Sequence, residues 1–166
     1  EVNDYQIDLD EIRAKVTPRT KAMVLITPSN PTGGVLAENV LKELAEIAIK
    51  NDIMVISDEV YERLLYDDAK HISIASLPGM KERTITLNGF SKAYSMTGWR
   101  LGYAACNEDI VKTVNKLHQH VVTCATSFVQ KAGVVALREE KEEVNDMVKG
   151  YQSCLLYTSP SPRDCS

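Results

Sequence analysis

Residues 21–33 read KAMVLITPSNPTG, a short apolar run shut off by Pro28, Asn30, Pro31 and Gly33. Proline offers no amide hydrogen to a sheet ladder and glycine takes up turn conformations readily, so this reads as a buried strand ending in a tight loop. Over residues 38–50 the apolar positions become Val40, Leu41, Leu44, Ile47 and Ala48, which share one helix face, and Asn51-Asp52 ends the pattern. A second apolar run, residues 53–57, follows at once. Strand, helix and strand in that order predict a crossover between parallel strands. Further apolar runs at 84–87 and 101–105, and helical patterns at 110–120 and 128–139, continue the alternation. The expected fold class is therefore α/β, a three-layer α/β/α arrangement around a mostly parallel sheet.

The chain has 166 residues, 44% hydrophobic and 25% charged, enough for one domain with its own core and too apolar for a disordered chain. Nineteen Lys and Arg against 23 Asp and Glu give a net charge of -4, so no global basic field exists to hold nucleic acid or an anionic membrane surface. The longest apolar runs, such as 22–26 and 53–56, fall far short of the ~20 residues of a membrane-spanning helix, and a soluble protein is expected. Cys106, Cys124, Cys154 and Cys165 stand far apart without a C-x-x-C pair, and His118 and His120 are spaced wrongly for one helix face. Neither a disulfide framework nor a zinc site is expected, and a reducing cytoplasmic setting is the default.

In a parallel sheet ligands collect beyond the carboxyl ends of the strands, where loops and helix N-termini converge. Three polar clusters fall there: Ser29-Asn30-Pro31-Thr32-Gly33, Ser57-Asp58-Glu59-Val60-Tyr61 and Asn88-Gly89-Phe90-Ser91-Lys92. Singly they read as a turn, a helix cap and a solvated lysine. Together they bring an amide, a carboxylate with a phenol three residues on, and an amine to one sheet edge, and the side chains are expected to meet in one cleft.

With the run SKAYSMTGWRLGY at 91–103, these clusters resemble the class I/II aminotransferases, which are pyridoxal-phosphate enzymes of fold type I; the likeness runs in order from about Ile7 to Tyr151. The resemblance implies pyridoxal 5'-phosphate as cofactor, held by Lys92 as an internal aldimine, with the freed Lys92 amine then moving a proton from the substrate α-carbon. It implies Asp58 beside the ring nitrogen, where a carboxylate keeps a proton in place, and Asn30 and Tyr61 as donors to the ring's phenolic oxygen. Arg100 would grip the phosphate with its guanidinium fork. Ser91 is a further phosphate candidate, since the position three before the lysine, where many members carry a serine, is Gly89 here. The implied reaction moves an amino group between an amino acid and a 2-oxo acid in a homodimer. The form Met96-Thr97-Gly98-Trp99-Arg100 leans toward prokaryotic-type aspartate or aromatic enzymes. A carbon-sulfur lyase of the same fold, or the cofactor-binding effector domain of a transcription regulator, would retain the same residues.

Other residues have plainer readings. Trp99 is expected to pack rather than stack on a cofactor, His71, His118 and His120 to lie at the surface or at helix ends, and residues 139–143 to form a solvated charged stretch. The chain opens on Glu1 within an amphipathic stretch, and its composition changes at Ser153 while Val144, Met147, Val148 and Tyr151 still keep helical spacing. Residues 1–153 are thus expected to be a partial cofactor-binding large domain, lacking its start and entering the helix toward a small domain. Residues 154–166 resemble the conceptual translation of a sequencing-library adapter and are expected to be a non-native tail.

Overall fold

The computed structural model describes residues 7–139 and 142–158. Four strands, β1 (Ala22–Ile26), β2 (Met54–Asp58), β3 (Thr84–Gly89) and β4 (Gly102–Ala105), form one sheet in the order β1-β2-β3-β4. The first three run parallel, and β4 returns antiparallel beside β3. The helices are α1 (Leu9–Lys15), α2 (Glu38–Lys50), α3 (Glu108–Val121), α4 (Ser127–Glu139) and α5 (Glu142–Thr158). The fold class is α/β.

The crossover from β1 to β2 is α2, whose bounds are those of the apolar pattern. Its buried face, Leu41, Leu44, Ala45 and Ala48, packs with Leu25 of β1, Val55 of β2, and Ile53, Ile74 and Met80 to make the core. The amphipathic start of the chain completes this side, with Ile7, Leu9, Ile12 and Val16 resting on the same cluster. Asp8 caps α1 by accepting from the amides of Asp10 and Glu11, each at 3.0 Å, and Arg13 pairs with Glu43 of α2.

Register decides which residues reach that core. Leu25 is paired with Ser57 and Val55 with Thr84, and this row faces α2; the alternate row, Val24 with Ile56 and Ile26 with Asp58, faces the other way. On that opposite face Val24 and Ile26 stay exposed, while α4 comes against the loop beyond β3. A side-chain carbon built on Gly133 would stand 3.2 Å from Phe90 and closer still to Leu101, so the small residue permits the approach. Gly102 has a similar role, since a Cβ there would come within 3.1 Å of the Asn88 carbonyl oxygen, and the lack of one lets β4 close onto β3. The change of composition at Ser153 does not end α5, which continues to Thr158. Residues 159–166 of the expected tail lie outside the described residues.

Candidate active site

The loop after β1 is closed by hydrogen bonds within itself, which is why it presents Asn30 outward. Ser29 N donates to Gly34 O and Gly33 N to Ser29 O, both at 2.9 Å, with Gly33 at φ +72°, a conformation that suits glycine. The buried Thr27 anchors the loop base, its hydroxyl accepting from Leu36 N at 3.2 Å and its amide donating to Asp58 O at 3.1 Å. From there Asn30 Nδ2 donates to the Tyr61 hydroxyl at 3.2 Å.

Beyond β2 the backbone keeps its ladder for one more residue, Glu59 N donating to Leu87 O at 2.9 Å, and then turns. Asp58 accepts from Val60 N through Oδ1 at 3.2 Å, an Asx-type contact that orients its carboxylate at the turn. Tyr61 follows within the turn, Leu64 N donating back to its carbonyl at 2.8 Å.

The third cluster is held as a knot. Phe90 N donates to Leu101 O, Met96 N to Phe90 O and Ser95 N to Lys92 O, each at 3.1 Å, while the Thr97 hydroxyl donates to Ser91 O at 2.9 Å. Arg100 closes it in the left-handed region at φ 53°, with Nη1 donating to Thr97 O at 3.0 Å. A non-glycine residue in that region carries backbone strain, which the knot's hydrogen bonds hold in place.

The six sequence-predicted residues all lie at this edge and fall in two neighbouring groups. Asn30, Tyr61 and Lys92 form the first, with Lys92 Nζ 5.6 Å from the centre of the Tyr61 ring. Asp58, Ser91 and Arg100 line the second, a hollow of about 340 Å³ floored by Gly89 and Gly102. Ser91 also lines the adjoining hollow that contains Lys92, Tyr66 and Tyr151, so the groups meet at Ser91. Burial pushes the Tyr66 phenol up from its ordinary range, with the neighbouring Tyr151 adding to the effect, and it stays neutral at the wall of the Lys92 hollow. Trp99 packs edge-on to Phe128 with ring centres 6.2 Å apart, in keeping with a packing role. Of the charged stretch, residues 140 and 141 lie outside the described residues, and Glu139, Glu142 and Glu143 are exposed.

His71 departs from the surface reading. Its side chain is only 9% exposed, and Nε2 lies 2.9 Å from Oε2 of the buried Glu59. Glu59 Oε1 accepts in addition from the hydroxyls of Ser57 and Ser73, each at 2.8 Å. Glu62 brings another carboxylate oxygen within 4.8 Å of this pair, but both Glu59 oxygens are already engaged. One signal was available: strand alternation turns Glu59 away from Asp58 and toward the core, where a carboxylate needs partners.

Residues 1–155 match the family described as "Aminotransferase class I and II". The chain belongs to that aminotransferase family. Among curated aminotransferases it is 48% identical over 153 residues to an aspartate aminotransferase of Pyrococcus abyssi, covering 91% of this chain and 39% of that protein. It is 46% identical to an aromatic-amino-acid aminotransferase of Thermococcus litoralis, covering 92% of this chain and 40% of that one. Of solved aminotransferases, the aromatic enzyme of Pyrococcus horikoshii superposes with a TM-score of 0.84 at 43% identity over 92% of this chain and 40% of its own. The N-succinyldiaminopimelate aminotransferase of Mycobacterium tuberculosis gives 0.86 at 37% identity over 89% of this chain and 38% of its own. The chain thus spans about two-fifths of the length of these aminotransferases. Among the described residues no helix is long and apolar enough to cross a membrane.

Proposed function

We propose that the full-length protein containing this chain transfers an amino group between an amino acid and a 2-oxo acid, using pyridoxal 5'-phosphate held at Lys92. The observation that carries this reading is the grouping of Asn30, Tyr61 and Lys92 beside a hollow lined by Asp58, Ser91 and Arg100, in a member of the aminotransferase family. The donor set fits the cofactor's chemistry: a guanidinium and a hydroxyl for a phosphate, a carboxylate for a protonated ring nitrogen, an amide and a phenol for a phenolic oxygen, and an amine for an aldehyde. When bound, the cofactor supplies an electron sink for the substrate's α-carbon.

The chain's own residues do the rest. Lys92 Nζ takes the proton from the amino acid's α-carbon, acting as general base. The Asp58 carboxylate holds a proton on the ring nitrogen. The Asn30 amide and the Tyr61 hydroxyl, already bonded to each other, fix the ring's tilt, and Arg100 with Ser91 anchors the phosphate. The relatives' names support an aspartate or aromatic donor. A homodimer and a cytoplasmic setting complete the reading, the latter supported by Cys106 and Cys124, which stand outside any disulfide among the described residues.

Residues 1–153 are taken as part of the large domain and 154–166 as a foreign tail; sequencing the natural reading frame past Ser153 tests this directly. The 166-residue chain alone is expected to turn over no amino-acid and 2-oxo-acid pair. For the full-length protein, borohydride reduction followed by peptide mapping should place the cofactor on the Lys92 peptide, and aspartate or an aromatic amino acid should yield its 2-oxo acid. A protein that carries no cofactor on any lysine overturns the proposal.

A further inference from the structure

Asp58 and Glu59 are adjacent, and strand alternation sends them to opposite sides of the sheet. Glu59 is 1% exposed and fixed by three side chains: Ser57 near the end of β2, and His71 and Ser73 from the segment leading into the turn Ile74–Ser76. That segment is itself immobilised, since Ile72 and Ile74 pack in the core cluster. Burial pushes the Glu59 carboxyl up, but the hydrogen bonds from His71, Ser57 and Ser73 and the charge of His71 outweigh it and hold the group below the usual carboxylate range. A buried carboxylate with such partners cannot swing away without stranding its charge.

The Glu59 to His71 contact also closes a loop between two residues 12 apart in the chain. Tyr61, which accepts from Asn30, and Tyr66, which lines the Lys92 hollow, both lie inside that loop. Asp58 sits immediately before its first fixed point.

We propose that Glu59, held by His71 and Ser73, is a positioning residue that sets the placement of Asp58 and of the segment carrying Tyr61. It touches neither substrate nor cofactor and acts through the backbone it pins. The inference rests on the role given to Asp58 above.

The test uses the full-length protein loaded with pyridoxal phosphate labelled with 15N in the ring, and reads the ring-nitrogen NMR signal together with kcat and KM per bound cofactor. Asp58→Ala gives the reference for a ring nitrogen without its partner. Glu59→Ala should move the signal toward that reference and lower kcat about tenfold, with KM changed by less than about threefold, because misplacement acts on the transition state more than on binding. Glu59→Gln, which keeps an acceptor for the two serines, should restore most of both. Ser73→Ala removes one hydrogen bond, should shift the signal the same way, and decides the matter if Glu59→Ala does not fold. A wild-type signal and wild-type kcat per cofactor in whichever of Glu59→Ala and Ser73→Ala folds would show a merely structural network and overturn the proposal. If Asp58→Ala itself leaves the signal unmoved, the role of Asp58 fails first and the inference falls with it.

Discussion

Lys92 Nζ stands 5.6 Å from the centre of the Tyr61 ring, and the hydroxyl at the far end of that ring is bonded to Asn30. Three residues from three separate strand ends are thereby linked, and the phenol is the part shared between amide and amine. Tyr61 thus couples the first loop of the site to the lysine knot.

A double-mutant cycle should expose that coupling. In the full-length enzyme, Asn30→Ala and Tyr61→Phe each lower kcat/KM, and the double variant loses less than the sum, with an interaction of about 0.5 kcal/mol or more, as expected for directly bonded side chains. Steady-state kinetics on the four proteins checks it, and strict additivity would show that the hydrogen bond has no part in function.

Lys92→Ala and Asp58→Ala should fail differently. The first loses covalent attachment of the cofactor, its visible absorbance and all transamination. The second retains the attached cofactor but loses most of the rate, because the proton on the ring nitrogen no longer has its partner. Absorbance spectra and single-turnover rates separate the two, and a Lys92→Ala protein that still transaminated would remove the lysine from its assigned role.

Glu59 should make stability depend on acid. Its folded-state carboxyl is held below the ordinary 4.5, so its contribution is fully present above that value and is lost as pH falls through the lower folded value. His71 faces it directly, and Glu62 and Tyr103 lie near it. Urea denaturation from pH 6 down to about pH 3 should show the stability advantage of wild type over Glu59→Gln shrinking once pH drops below about 4.5. An advantage that stayed constant across the range would contradict the buried charge.

Leu44→Ala tests the core. Leu44 is fully buried on α2 among Leu25, Val55 and Ile53, and truncating it should cost about 2–5 kcal/mol by removing apolar contact and leaving a cavity. Chemical denaturation measures the loss. The cofactor-bound fraction that remains folded should keep a near-normal KM, since no site residue touches Leu44 within this cluster.

The elements most legible in the sequence were those whose signals are local. The bounds of α2 follow from the spacing of Leu41, Leu44 and Ala48 and from Asn51, which caps the end of the helix by donating its backbone amide to Ile47 O; neither depends on the rest of the chain. The three strand-end clusters were equally visible, because residues that end an apolar run with proline, glycine or a carboxylate must lie where the sheet stops. Three features were decided only by the tertiary structure. The partnership of Glu59 with His71 joins residues 12 apart across a loop, and no local pattern fixes where that loop brings the imidazole. The antiparallel return of β4 depends on the knot from Phe90 to Leu101 and on the close approach of Gly102 to the Asn88 carbonyl. The meeting at Ser91 of the hollow lined by Asp58 and Arg100 with the hollow lined by Lys92 depends on which way each side chain leaves its strand end. Period and punctuation are properties of neighbouring residues and are written in order along the chain, whereas side-chain direction and distance at a site arise only once separate segments have packed.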